Sequence, residues 1–166
     1  MSSTHNITAF FANRSWGVEY LMYVVPNSYS IKLLQINKGF AGGLQKHHLK
    51  HEIGYLLEGS LRVTTIDNEF NHVEYTLKEG SLFSFPPGLY HQEEALTDVF
   101  ILEASTPHFN DRVRIDSDSI NALPSTSVSD VFCISSADFL LDIQELGFKP
   151  ISISDIPFFN RILFFS

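Results

Sequence analysis

The sequence holds a single cysteine, Cys133, so no intrachain disulfide framework can form and the fold must be held by its core. Basic residues are also scarce: 11 Lys and Arg stand against 19 Asp and Glu, a formal net charge of −8. A nucleic-acid or anionic-membrane partner needs a basic face, so this balance argues against both. It leaves room for a phosphorylated small molecule, which a few local basic residues suffice to hold. There is no run of 18 apolar residues and no charged-then-apolar N-terminal stretch, so a cytoplasmic location is expected. No internal repeat or heptad is visible. Phenylalanine, by contrast, is abundant at 15 of 166 residues, and that length fits one ordinary domain with a real core plus an appendage.

Most of the chain reads as short strands separated by turn residues. Residues 19–25 (EYLMYVV), 30–37 (SIKLLQIN), 52–58, 61–66, 73–77, 81–85 and 98–104 (DVFILEA) are rich in β-branched and aromatic side chains. Pro26-Asn27-Ser28, the glycine-rich 38–43 and Asp67-Asn68 punctuate them. Such a pattern argues for an antiparallel barrel or jelly roll. Residues 1–13 read as a loosely held arm. The strand opening at Glu52 is apolar on both faces, which predicts cover on its outer side by other strands or by a second copy of the chain, so a homodimer is expected. After Asp116 the composition shifts: 117–129 reads as a linker, and 139–148 (FLLDIQELGF) as a helix with a serine N-cap and a Gly147 C-cap. The tail from Pro150 is apolar and needs something to bury it.

The densest chemistry lies between Gly42 and Gly59, GGLQKHHLKHEIGYLLEG. In a strand, side chains alternate, so Gln45 and His47 share a face while Lys46 and His48 take the other. A turn through Lys50 and His51 leads to Glu52, whose carboxylate can return to the first side. One amide oxygen, one imidazole and one carboxylate then meet at a common point, a set suited to a borderline divalent cation. Downstream, Gly80 opens GSLFSFPPGLYH, in which Pro-Pro-Gly with φ > 0 at Gly88 reverses the chain and aims His91 inward. A buried carboxylate beside two imidazoles needs compensating charge, which a cation would provide. His48 and His51 read as solvated or interface histidines rather than ligands. Lys32 lies mid-strand among apolar neighbours; if it faces inward it must pair with a carboxylate or a substrate, and can then serve as an acid or base.

These two blocks resemble the two cupin motifs. The first has the form H-x-H-x4-E-x6-G with Gln45 in the first place, then His47, Glu52 and Gly59; the second, G-x5-P-x-G-x2-H, is met by Gly80, Pro86, Gly88 and His91. Glutamine in the first position, Ser15-Trp16-Gly17, YSIK at 29–32 and STPHFNDRVRID at 105–116 are similar to the cupin domain of type II mannose-6-phosphate isomerases. The resemblance covers about 14–118. The asparagine that follows the second motif there is replaced here by Glu93-Glu94-Ala95.

The resemblance implies an all-β fold, a cupin jelly-roll barrel, which with the N-terminal arm takes up 1–118; the composition, not the resemblance, assigns 119–166 to linker, short α-helical extension and tail. It also implies a divalent metal at Gln45, His47, Glu52 and His91, zinc first and manganese, iron, cobalt or nickel as alternatives. Arg114 falls where those isomerases place a functional arginine. The reading is a metal-dependent isomerase moving a proton between two carbons of a sugar or sugar phosphate, with Arg114 and Lys32 as catalytic residues and Glu93 a further candidate base. Two alternatives stand beside it: a non-catalytic sugar-binding or sensing cupin, and an iron-dependent dioxygenase using the same ligands.

Overall fold

A computed structural model describes residues 8–66, 71–109, 111–114 and 143–159. Twelve strands are present among them: β1 Thr8–Arg14, β2 Gly17–Val25, β3 Tyr29–Ile36, β4 Gln45–His47, β5 Glu52–Glu58, β6 Ser60–Ile66, β7 His72–Lys78, β8 Leu82–Phe85, β9 Tyr90–Ala95, β10 Val99–Ser105, β11 Arg112–Arg114 and β12 Lys149–Ser152. They form two sheets, one ordered β12-β1-β2-β3-β10-β5-β8 and the other β11-β4-β9-β6-β7, with every pairing antiparallel. The architecture is the expected all-β jelly roll.

Side-chain alternation decides what lies between the sheets. Ile36, Leu56, Phe85, Val99 and Ile101 from the larger sheet meet Leu61, Val63 and Ala95 from the smaller one, and this is the barrel's core. Along β3 the inward positions run Lys32, Leu34, Ile36, while Leu33 between them faces out. The inward face therefore changes from charged to apolar within three alternating residues. That gradient positions the site at the charged end.

Leu33 is fully buried although it faces away from the barrel. It packs with Ala9, Tyr20 and Phe100 against Ile156 and Phe158 from the C-terminal segment. The apolar tail is thus partly accounted for: residues 149–152 add β12 to the edge of the larger sheet beside β1, and 156–158 cover its outer face. Residues 8–14, expected as a loose arm, are instead the ordered strand that this tail pairs with. Ala9 is small enough to lie beneath the tail and Ala12 beneath Ile143 and Phe148, whereas the sequence there lacks the β-branched run that marks a strand. The Gly147 cap is present as expected. Gly147 has φ 80°, its N–H donates to Gln144 O at 2.9 Å, and Phe148 N–H donates to Ile143 O at 3.1 Å, the paired bonds of a Schellman motif. The serine N-cap, the 117–129 linker, Cys133 and the Asp67-Asn68 turn lie outside the described residues.

On the outer face of β5 no neighbouring strand among the described residues covers Ile53 and Tyr55, which leaves a second copy of the chain as the expected cover. Leu56 is fully buried inside, whereas Ile53 and Tyr55 on the outer face are 42% and 41% exposed, next to Leu82 of β8 at 69%. No helix among the described residues is long and apolar enough to cross a membrane.

Candidate metal centre

Register brings the two motifs together. Gln45 of β4 pairs with His91 of β9, and the Pro86–Leu89 turn that delivers His91 is closed by Leu89 N–H donating to Pro86 O at 3.2 Å. Gly88 takes φ 86°, as the turn requires, and its N–H donates to His47 O at 2.7 Å, fixing the turn to the end of β4.

Both histidines are oriented by an acceptor on Nδ1. For His47 it is Asp111 Oδ1 at 2.8 Å; for His91 it is Leu89 O at 3.0 Å. Each ring therefore carries its proton on Nδ1 and turns the Nε2 lone pair inward. The two Nε2 atoms lie 3.5 and 3.7 Å from Glu52 Oε2. His47 Nε2 is buried and has no hydrogen-bond partner among the described residues, a costly state for a polar nitrogen unless something else binds it. His47, Glu52 and His91 thus form a group able to hold a metal ion, their donor atoms all within 4.8 Å of one another. Burial pushes the His91 imidazole below its ordinary value, toward the neutral form that ligates. Phe85 stacks on that ring with centroids 4.0 Å apart and fixes its plane. Gln45 Nε2 is 3.3 Å from His91 Nε2 and its Oε1 accepts from Arg112 Nη1 at 3.5 Å, so the amide borders the same point with its nitrogen, not the expected oxygen, turned to the His91 ring.

Behind the ligands lies a chain of alternating charge. Glu52 Oε1 accepts from Lys50 Nζ, which also donates to Glu103 Oε1 at 3.1 Å. Lys32 Nζ stands 3.9 Å from Glu103 and 2.7 Å from Glu19, and Glu19 in turn accepts from Arg14 at 2.9 Å. Burial alone would lower the Lys50 ammonium, but Glu103 and Glu52 raise it above the usual lysine value. Against the same burial, the Lys50 ammonium holds Glu52 well below the carboxylate range. Burial likewise opposes ionisation of Glu19, yet Lys32 and Arg14 bring it down to about 2. Lys32 does face inward, and its required partner is Glu19.

The cavity enclosed is about 410 Å³, with Arg112, Arg114, Glu93 and Phe148 among its walls. Arg112 and Arg114 are exposed and pair in register with His47 and Gln45. Glu93 is the exception to the charge pairing. No hydrogen bond or ion pair involves its carboxyl group among the described residues, and burial, with the negative Glu52 and Glu103, pushes it up to about 8. An uncharged carboxylic acid in a cavity beside a cation site can give and take a proton.

Glu19 and Glu103 were not singled out by the sequence reading, and Lys50 and Asp111 escaped it as well. Lys50, expected in a turn, is buried because its long stem carries the ammonium inward to two carboxylates. Asp111 lies 64 residues from His47, with only its adjacency to the Arg112–Arg114 stretch to draw attention to it. His48 and His51 are not part of the site; His51 is exposed and hydrogen-bonds Ser84 Oγ at 2.8 Å.

Residues 32–106 match the cupin domain family. The barrel has the cupin fold. Among solved structures, this chain is similar to the capsular polysaccharide assembling protein CapF from Staphylococcus aureus, at 16% identity and TM-score 0.59 over 65% of this chain and 32% of that one. It is similar also to oxalate decarboxylase from Bacillus subtilis, at 20% identity and TM-score 0.57 over 75% and 35%. A third likeness, to an RmlC-like cupin from Shewanella frigidimarina, has 19% identity and TM-score 0.53 over 61% and 86%. The chain spans about a third of the length of the first two structures. Among curated proteins, none matches it. The likeness to type II mannose-6-phosphate isomerases rests on the sequence motifs alone.

Proposed function

We propose that this cupin is a divalent-metal enzyme of the aldose–ketose isomerase type, acting in the cytoplasm on a small sugar or sugar phosphate. What carries the reading is one convergence: two inward Nε2 lone pairs and a carboxylate oxygen share a cavity with Glu93, an acid without a partner among the described residues. His47, Glu52 and His91, with Gln45 as fourth donor, would hold the ion; zinc comes first, with manganese, iron, cobalt or nickel as alternatives. Bound there, the ion supplies Lewis-acid polarisation of a substrate carbonyl or hydroxyl oxygen. The chain's own groups do the rest. Glu93 carries the proton between two adjacent carbons. Arg114, with Arg112 beside it, holds the anionic end of the substrate and balances negative charge that develops on its oxygens. Lys32, the other candidate base, has its ammonium committed to Glu19, so it acts as a fixed positive wall.

The test is a panel of hexose and pentose phosphates incubated with metal-loaded protein in D₂O and followed by NMR. Aldose–ketose conversion with deuterium entering at the exchanged carbon is expected, and Glu93→Gln should lower turnover at least about 100-fold with metal content intact. No conversion of any member overturns the isomerase reading.

One observation favours a second reading, a non-catalytic sugar-binding cupin. Glu19, Lys32, Lys50 and Glu103 are all tied into ion pairs, which leaves a single acid–base group in the cavity. Sugar binding that His91→Ala abolishes, with no turnover by the wild type, would support it.

A further inference from the structure

Lys50 is fastened to the metal centre at both of its ends. Its backbone N–H donates to Asp111 Oδ2 at 2.7 Å, on the carboxylate whose other oxygen orients His47. Its ammonium sits on Glu52 Oε1 and Glu103 Oε1, and the side chain is nearly excluded from solvent. The two oxygens of Glu52 are thereby divided: Oε1 belongs to Lys50, and Oε2 alone faces the Nε2 atoms of His47 and His91. A buried carboxylate left free on both oxygens can close on a cation with both, and one held by an ammonium cannot. The ammonium also places a positive charge beside the site, which weakens the hold on any cation there.

We infer that Lys50 is a positioning residue that restricts Glu52 to a single metal-facing oxygen, so that a coordination position stays open for a substrate oxygen. Lys50 itself touches neither substrate nor metal in this role; it acts through Glu52, with Glu103 anchoring its other side. The inference rests on the metal-binding part of the function proposed above, and it makes a prediction of unusual sign. Removing a residue of the site should tighten metal binding.

The experiment is a Co²⁺ titration of the apo protein, followed by visible absorption, for the wild type, Lys50→Met, Lys50→Gln and Lys50→Arg, each first checked for folding by circular dichroism. Lys50→Met is expected to bind Co²⁺ at least about tenfold more tightly, since the neighbouring positive charge is gone. Its ligand-field bands should weaken as the second Glu52 oxygen raises the coordination number. Lys50→Gln should share the tighter binding but keep the wild-type bands, because its amide still donates to Oε1. Lys50→Arg should restore both properties. If Lys50→Met does not fold, the affinity of Lys50→Gln decides. Neutral variants that bind Co²⁺ no more tightly than a metal-binding wild type, with unchanged bands, overturn the role of Lys50 and leave the metal centre standing. A wild type that takes up no Co²⁺ overturns the metal centre, and this role with it.

Discussion

Asp111→Asn is the perturbation that most sharply separates a metal centre from an ordinary buried polar cluster. The Asp111 carboxylate is fully buried and accepts three bonds, from His47 Nδ1 at 2.8 Å and from the backbone N–H groups of Leu49 and Lys50 at 2.7 Å each. These bonds hold it below the usual carboxylate range although burial opposes ionisation. Asparagine keeps one acceptor oxygen and replaces the other with an amide that can only donate. If the oxygen stays with the two backbone groups, the amide faces His47 Nδ1, and the ring must move its proton to Nε2, the nitrogen aimed at the ligand centre. If the amide turns over, two N–H groups lose their acceptor. Bonds to charged groups contribute about 1.5–3 kcal/mol each and an orphaned buried donor costs about 1–3, so either arrangement should cost about 3 kcal/mol. For a chain of this size that corresponds to a fall in Tm of about 6–12 °C. Metal affinity should drop about 10- to 100-fold, because the group that fixes the ligand's tautomer has gone. Thermal unfolding and a Zn²⁺ competition titration read the two effects separately. A variant within about 0.5 kcal/mol of the wild type, with unchanged metal affinity, would refute the account of His47.

Glu19 should shape the acid limb of stability. Its carboxyl is near 4.5 when unfolded and about 2 when folded, so its contribution is complete above 4.5 and disappears as pH falls towards 2. The stability gap between wild type and Glu19→Gln in urea unfolding should therefore narrow steadily over that window; a gap independent of pH contradicts the pairing with Lys32 and Arg14. Phe158→Ala should cost about 3 kcal/mol by opening a void over Leu33 and Phe100, and a near-neutral result would mean that the tail does not cover the sheet. If a second copy covers the outer face of β5, as a homodimer requires, the wild type should sediment as a dimer and Tyr55→Asp as a monomer, with identical behaviour of the two counting against it.

The sequence made the barrel and its candidate ligands legible for reasons that are local. Alternation in β4, the turn chemistry of Pro-Pro-Gly and the spacing from His47 to Glu52 each act within a few residues, and His47, Glu52 and His91 do converge. What escaped depends on contacts distant in sequence. Thr8–Arg14 is held between β2, its hairpin neighbour, and residues 149–152, and nothing local to either segment states the second pairing. Asp111 announces itself only through His47, and Lys50 only through Glu52 and Glu103, since a lysine in a polar turn is ordinarily a solvated one. Glu93 was visible as a candidate base. Its lack of a partner among the described residues, which sets it apart from Lys32, needed the fold.

Metal content per chain tests the central claim most directly, measured by elemental analysis on tag-free protein beside a His47→Ala/His91→Ala control. The account predicts close to one equivalent of a divalent transition metal in the wild type and its loss in the control. A wild type that carries none and takes up none when offered zinc, manganese, iron, cobalt or nickel would contradict it.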